Sequence, residues 1–158
     1  MVSVLFVCTG NICRSPTADG VMRARVAALG LEAAIAVDSA GTHGYHQGEP
    51  PDARSQKTAL KHGVDLSMLT ARKVEPEDFH RFDIIAAMDR GHLDALTRHC
   101  PPERAERLHL FMSFAPAYDG EDEVPDPYYG EHGFEEVFAM IEAGVAGLIS
   151  HIRQTYKI

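Results

Sequence analysis

The chain has 158 residues, 45% of them hydrophobic and 24% charged, with a formal net charge of −8. That length is close to the roughly 150 residues of one domain, and the composition excludes a disordered or collagen-like chain. The acidic balance argues against a nucleic-acid partner, which would call for a basic face, but a pocket for a small anion can be locally positive on an acidic protein.

Val2 to Val7 is an almost wholly apolar run rich in β-branched residues, and it reads as a strand buried on both faces. After the loop Cys8 to Arg14, Ser15-Pro16 reads as a helix start, with Ser at the N-cap and Pro in the first turn. Met22, Val26 and Leu29 recur at helical spacing, and Gly30 is a stop signal. Ile35 to Ser39 reads as a second strand, Gly41 to Pro51 as a loop, and Pro51 to His62 as a helix ended by Gly63. Glu75 to Phe82 suggests a short helical turn. Asp83 to Met88 is a third buried strand, followed by a helix from Asp89 to His99 that Pro101-Pro102 breaks. Leu108 to Phe111 is a fourth strand, and Pro116 to Gly133 a long acidic loop. The last helix, Phe134 to Tyr156, buries Val137, Ile141, Val145, Leu148, Ile149 and Ile152. Gly144 and Gly147 would each cost it about 1 kcal/mol against Ala, so close packing is expected there.

This alternation predicts an α/β fold: one domain over residues 1–158, an open four-stranded parallel twisted sheet with helices on both faces, flavodoxin-like or Rossmann-like. Ligands of such sheets sit beyond the carboxyl ends of the strands, where the first strand delivers Cys8. Only Cys8, Cys13 and Cys100 are present, an odd count unlike a secreted disulfide framework. The N-terminus lacks a basic leader region, and the apolar stretch Val137 to Ile152 is interrupted by Glu142. A cytoplasmic protein with no membrane partner is expected.

The pattern Cys8-x5-Arg14-Ser15 lies between a strand and a helix. Five intervening residues can wrap into a cup. Gly10 takes positive φ without a Cβ penalty, and Asn11 tolerates it. The N–H groups of Thr9, Gly10, Asn11, Ile12 and Cys13 can then turn inward as an anion nest, backed by the positive end of the helix. Arg14 can grip two oxygens of a phosphate with its planar fork. A cysteine in this field is expected to ionise more readily than a free thiol. Nucleophile and oxyanion site are thus adjacent. Asp126 stands apart from its acidic neighbours because Pro125 and Pro127 stiffen the chain on both sides. Neighbouring carboxylates and Tyr128 and Tyr129 would help keep it protonated.

The run Val7-Cys8-Thr9-Gly10-Asn11-Ile12-Cys13-Arg14-Ser15-Pro16 resembles the signature loop of the low-molecular-weight protein tyrosine phosphatases. Further similarities are Asp38-Ser39-Ala40-Gly41-Thr42, Gly48, Pro51-Asp52-x-Arg54, Ala71-Arg72, Met88-Asp89 and Asp126-Pro127-Tyr128-Tyr129-Gly130, so the resemblance spans the domain. It implies hydrolysis of phosphotyrosine in proteins through a phosphocysteine on Cys8. Arg14 would clamp the phosphate, Asp126 would act as general acid and then base, and Ser15 would hydrogen-bond the thiolate. Inorganic phosphate would be product and competitive ligand, with no metal or cofactor. Tyr45, Tyr128 and Tyr129 would wall the cleft. The bulky Ile12 is more similar to tyrosine-specific members than to phosphoarginine-specific ones. A transient Cys8–Cys13 disulfide is also implied.

One departure is the absence of a His before Ala71-Arg72, which in relatives supports the loop Asn; here Ser39, Thr70 or water would have to support Asn11. The alternatives are a thiol-dependent arsenate reductase, a phosphoarginine phosphatase, a phosphocysteine carrier and a silent phosphotyrosine-binding module. The reductase needs two further clustered cysteines, and only Cys100 follows. A carrier has no use for Arg14 or Asp126.

Overall fold

The structure is a computed structural model and describes residues 1–118, 120–128 and 133–158. Four strands form one parallel sheet: β1 (Val2–Cys8), β2 (Ile35–Gly41), β3 (Ile84–Ala87) and β4 (Leu108–Leu110), in the order β2-β1-β3-β4. The helices between and after them are α1 (Arg14–Ala28), α2 (Ala53–Lys61), the one-turn α3 (Asp78–Arg81), α4 (Arg90–His99) and α5 (Phe134–Tyr156).

Period-two alternation decides which face each strand residue serves. Val4, Phe6 and Cys8 of β1, with Ile84 and Ala86 of β3, join one core with Met22 and Val26 of α1 and Ile141, Val145 and Leu148 of α5. Leu5, Val7, Ile85 and Ala87 point the other way, onto Phe79, Phe82 and Leu96 of the α3–α4 side. A strand buried on both faces has little room for polar side chains, which is why β1 reads as an apolar run broken only by the half-buried Ser3 near its start. All six stripe residues expected on α5 are buried. Its two glycines are close-packed as expected: a Cβ on Gly144 would lie 2.3 Å from the Phe111 ring, and one on Gly147 only 1.6 Å from the Phe114 carbonyl oxygen. Gly30 and Gly63 end α1 and α2 at φ +69° and +79°.

Three local expectations are corrected. Helix α1 begins two residues early, at Arg14, with Cys13 rather than Ser15 at its N-cap and no side-chain cap, because the Ser15 hydroxyl is engaged elsewhere. Leu29 is 48% exposed as the residue that closes α1, outside the buried stripe. Strand β4 stops at Leu110; Phe111 opens a 3-10 turn that drops its ring, fully buried, beside Phe6 and under Gly144. The chain crosses from β2, on one side of β1, to β3 on the other. That reversal opens the crevice at the carboxyl end of β1.

Candidate active site

The loop from Cys8 to Arg14 is shaped from outside. Its carbonyls are held by neighbouring backbone: Thr42 N–H donates to Cys8 O (2.9 Å), His43 N–H to Thr9 O (3.0 Å) and Asp52 N–H to Ile12 O (2.8 Å). With the carbonyls turned outward, the N–H groups of Thr9 to Cys13 donate to no acceptor among the described residues. The positive φ falls on Asn11 (+60°); Gly10, expected to adopt it, does not. Gly10 is small for a different reason, since a Cβ would come within 2.9 Å of the His46 ring. Gly41 is the tighter fit. A Cβ there would lie 2.7 Å from Thr9 O, 3.0 Å from His43 O and 3.1 Å from Asn11 N.

The left-handed turn at Asn11 is pinned at both ends of its amide. Asn11 Nδ2 donates to Ser15 Oγ (2.8 Å), and Asn11 Oδ1 accepts from Arg72 N–H (3.0 Å). Ser39 and Thr70, named from the sequence for this role, do not take it; the Ser15 hydroxyl and the Arg72 backbone do. Arg72 is itself fixed between Asp38 (3.0 Å) and the fully buried Asp78 (3.0 Å). Ser15 Oγ lies 3.0 Å from Cys8 Sγ. A hydroxyl that accepts from Asn11 has one proton to give, and of its two acceptors the Cys8 sulfur at 3.0 Å is nearer than the Ala40 carbonyl at 3.4 Å. Burial pushes the Cys13 thiol up to about 12, so it stays protonated.

Arg14 is 3% exposed and needs a partner charge. Its Nη1 donates to Asp89 Oδ2 (2.9 Å) and Val124 O (3.1 Å). Its Nη2 lies 3.4 Å from Thr9 Oγ1 and from His92 Nε2, and 3.5 Å from Asp126 Oδ2. Asp126 is carried by a segment anchored on both sides. Upstream, the buried Val124 donates its N–H to Met88 O (2.8 Å). Downstream, the Arg54 guanidinium stands 5.0 Å from the Tyr128 ring centroid and 4.9 Å from that of Phe134, while its other edge grips Asp52. Asp126 Oδ1 accepts from Tyr128 N–H (3.0 Å), which orients the carboxyl.

Cys8, Thr9, Gly10, Ile12, Cys13, Arg14, Tyr45, His46, Asp126 and Tyr128 thus line one small cup of about 90 Å³. Tyr45 stands 73% exposed at its rim, stacked on His43 with centroids 4.9 Å apart. Tyr129 lies outside the described residues. Sequence reasoning missed Asp89, His92, Arg54 and the part played by Arg72. Asp89, Arg54 and Arg72 sat inside quoted motifs, and His92 follows Asp89 by one helical turn, but no sequence pattern joins any of them to the loop.

The family model described as "Low molecular weight phosphotyrosine protein phosphatase" matches residues 3–157. A low molecular weight protein-tyrosine-phosphatase of Streptomyces coelicolor is 48% identical over 96% of this chain and 93% of its own. The crystal structure of a protein tyrosine phosphatase from Entamoeba histolytica superposes with a TM-score of 0.93 at 36% identity, covering 99% of both chains. YfkJ from Bacillus subtilis superposes with a TM-score of 0.93 at 37% identity, over 98% of this chain and 96% of that one.

Proposed function

The chain belongs to the low molecular weight phosphotyrosine protein phosphatase family, and on that footing we propose that Cys8, Arg14, Ser15 and Asp126 divide its reaction among them. The protein hydrolyses phosphotyrosine monoesters. The phosphate dianion enters the cup, and its non-bridging oxygens take the N–H groups of Thr9 to Cys13 and the Arg14 fork. Cys8 thiolate attacks phosphorus in line: the S–P bond forms and the P–O(tyrosyl) bond breaks. Asp126 gives its proton to the leaving oxygen, which tyrosine, with a pKa of about 10, could not otherwise carry off readily. In the second step water attacks the phosphocysteine, Asp126 takes its proton, and the sulfur leaves as a thiolate that the Ser15 hydroxyl receives.

The observation that carries this reading is the pairing of two facts. The Cys8 sulfur rests 3.0 Å from a hydroxyl whose lone pair Asn11 already occupies. The buried Arg14 is braced by Asp89 behind while Asp126 stands 3.5 Å from its other nitrogen. Ile12, lining the cup, supports a tyrosyl over a phosphoarginine substrate. Free thiols at Cys8, Cys13 and Cys100 support a cytoplasmic setting. Among the described residues no helix is long and apolar enough to cross a membrane.

The test is phosphate release from phosphotyrosine, phosphoserine and phosphoarginine peptides by wild type and Cys8→Ser. Wild type is expected to act on phosphotyrosine and the variant on none. Undiminished turnover by Cys8→Ser would overturn the nucleophile, and preference for phosphoarginine would overturn the substrate class.

A further inference from the structure

Behind the Arg14 fork lies a chain of polar groups that the mechanism above does not use. Thr9 Oγ1 is 2.8 Å from His92 Nε2, and His92 Nδ1 is 3.1 Å from Asp89 Oδ1. Asp89 Oδ1 also accepts the His92 backbone N–H (2.9 Å), capping α4, while Asp89 Oδ2 holds Arg14. His92 is 5% exposed. The groups facing it fix its state. Arg14 Nη2, a guanidinium nitrogen that can only donate, lies 3.4 Å from Nε2, so Nε2 is the acceptor; a proton there would point at a guanidinium. The imidazole N–H is then on Nδ1, facing the Asp89 carboxylate. Asp126 and His43 are the other titratable groups that act on the ring. Burial and Arg14 push the imidazole well below the usual histidine range, in line with a neutral ring.

Resting on the phosphatase reading, we propose that His92 is a positioning residue for phosphate capture: by accepting the Thr9 hydroxyl proton at Nε2, it turns that oxygen toward Arg14 and holds the Nη2 edge of the guanidinium in the cup. The hydrogen bonds run one way, from Arg14 to Thr9 Oγ1 and from Thr9 O–H to His92 Nε2, while His92 Nδ1 lies 3.1 Å from Asp89 Oδ1 without hydrogen-bond geometry and the second Asp89 oxygen accepts from Arg14. The fork is thereby braced at both nitrogens, Nη1 by Asp89 and Nη2 by the Thr9–His92 pair. Without the pair, Nη2 keeps only the long contact to Asp126, the group that must be free to serve the leaving oxygen.

The experiment measures the dissociation constant of inorganic phosphate by calorimetry and kcat/KM on an aryl phosphate, for wild type, His92→Phe, His92→Gln, Thr9→Val and the double variant His92→Phe/Thr9→Val. His92→Phe removes both ring nitrogens. It is expected to weaken phosphate binding and kcat/KM together by about 10- to 100-fold, as for a lost hydrogen bond at a charged group. His92→Gln, which restores an acceptor near Nε2, should recover most of both. Thr9→Val should match His92→Phe, and the double variant should be no worse than the poorer single one, because one chain is cut in two places. Additive losses, a neutral Thr9→Val, or a folded His92→Phe with wild-type phosphate affinity would each overturn the proposal. Should His92→Phe fail to fold, Thr9→Val against His92→Gln decides it. A wild type that binds phosphate but turns nothing over would sink the phosphatase reading instead, leaving the affinity comparison to judge this one.

Discussion

Replacing Gly41 by Ala adds a single methyl group where the end of β2 passes under the phosphate loop. That carbon would sit 2.7 Å from Thr9 O, 3.0 Å from His43 O and 3.1 Å from Asn11 N, about half an ångström or more inside ordinary contact. All three atoms are backbone, so none can swing aside as a side-chain end would. Overpacking of this kind costs about 1–3 kcal/mol, and a value near 2 lowers the melting temperature of a chain this size by about 4–8 °C. The strain falls on Thr9 and Asn11, whose N–H groups take phosphate oxygens in the proposed mechanism. A misplacement there is expected to lower kcat/KM on an aryl phosphate by about tenfold or more. Gly147→Ala is the control: its Cβ would meet Phe114 O at 1.6 Å, so stability must fall at least as far, yet neither residue lines the cup. Scanning fluorimetry and steady-state kinetics on both variants separate the effects. A Gly41→Ala protein with wild-type kcat/KM and phosphate inhibition would refute the idea that β2 sets the shape of the loop.

Asp126→Ala should slow esters of poor leaving groups by about 10²–10⁴ while sparing activated ones; equal losses across a series of substituted phenyl phosphates would remove Asp126 from the acid role. Arg54→Met takes the guanidinium from between Tyr128 and Phe134 and should reduce kcat/KM about three- to fivefold, more for poor leaving groups, and a uniform change across that series would count against the anchoring role. Burial, then Arg14, lowers His92 from 6.5 to about 4, so between those values the unfolded chain binds a proton that the folded one refuses. Stability is therefore lost as pH falls from about 6.5, by up to about 3 kcal/mol near pH 4, and levels off below. Urea midpoints for wild type and His92→Gln at pH 7 and 4.5 check this, and an equally steep acid loss in the variant would mean the ring is not buried neutral.

Features encoded by neighbours in sequence were legible. The almost wholly apolar run of β1, the α5 stripe and the stop glycines Gly30 and Gly63 follow from period and backbone preference alone. So did the tight seats of Gly144 and Gly147, because a glycine inside a long helix is costly unless something sits against it. The loop residues were legible as a set, but their internal division of labour was not. Ser15 has the local signature of a helix cap, yet its hydroxyl serves the Cys8 sulfur and Asn11; tertiary demand overrode the local preference. Positive φ went to Asn11 because its side-chain amide is tied to Ser15 and, 61 residues away, to Arg72. Asp89 and His92 reach Arg14 across 75 and 78 residues, distances at which no local pattern carries information.

Cys8 is the terminal residue of β1, one of the two interior strands, paired with Gly41 on one side while the preceding Val7 pairs with Ala87 on the other. The sulfur that attacks in the proposed mechanism therefore hangs from a strand paired on both sides, whereas the Asp126 segment is tied through the Val124–Met88 backbone hydrogen bond and a few side-chain contacts. Warming should loosen the proton donor before it disturbs the nucleophile. The two halves of the chemistry would then fade at different temperatures, acid assistance first and phosphate affinity only at the cooperative transition.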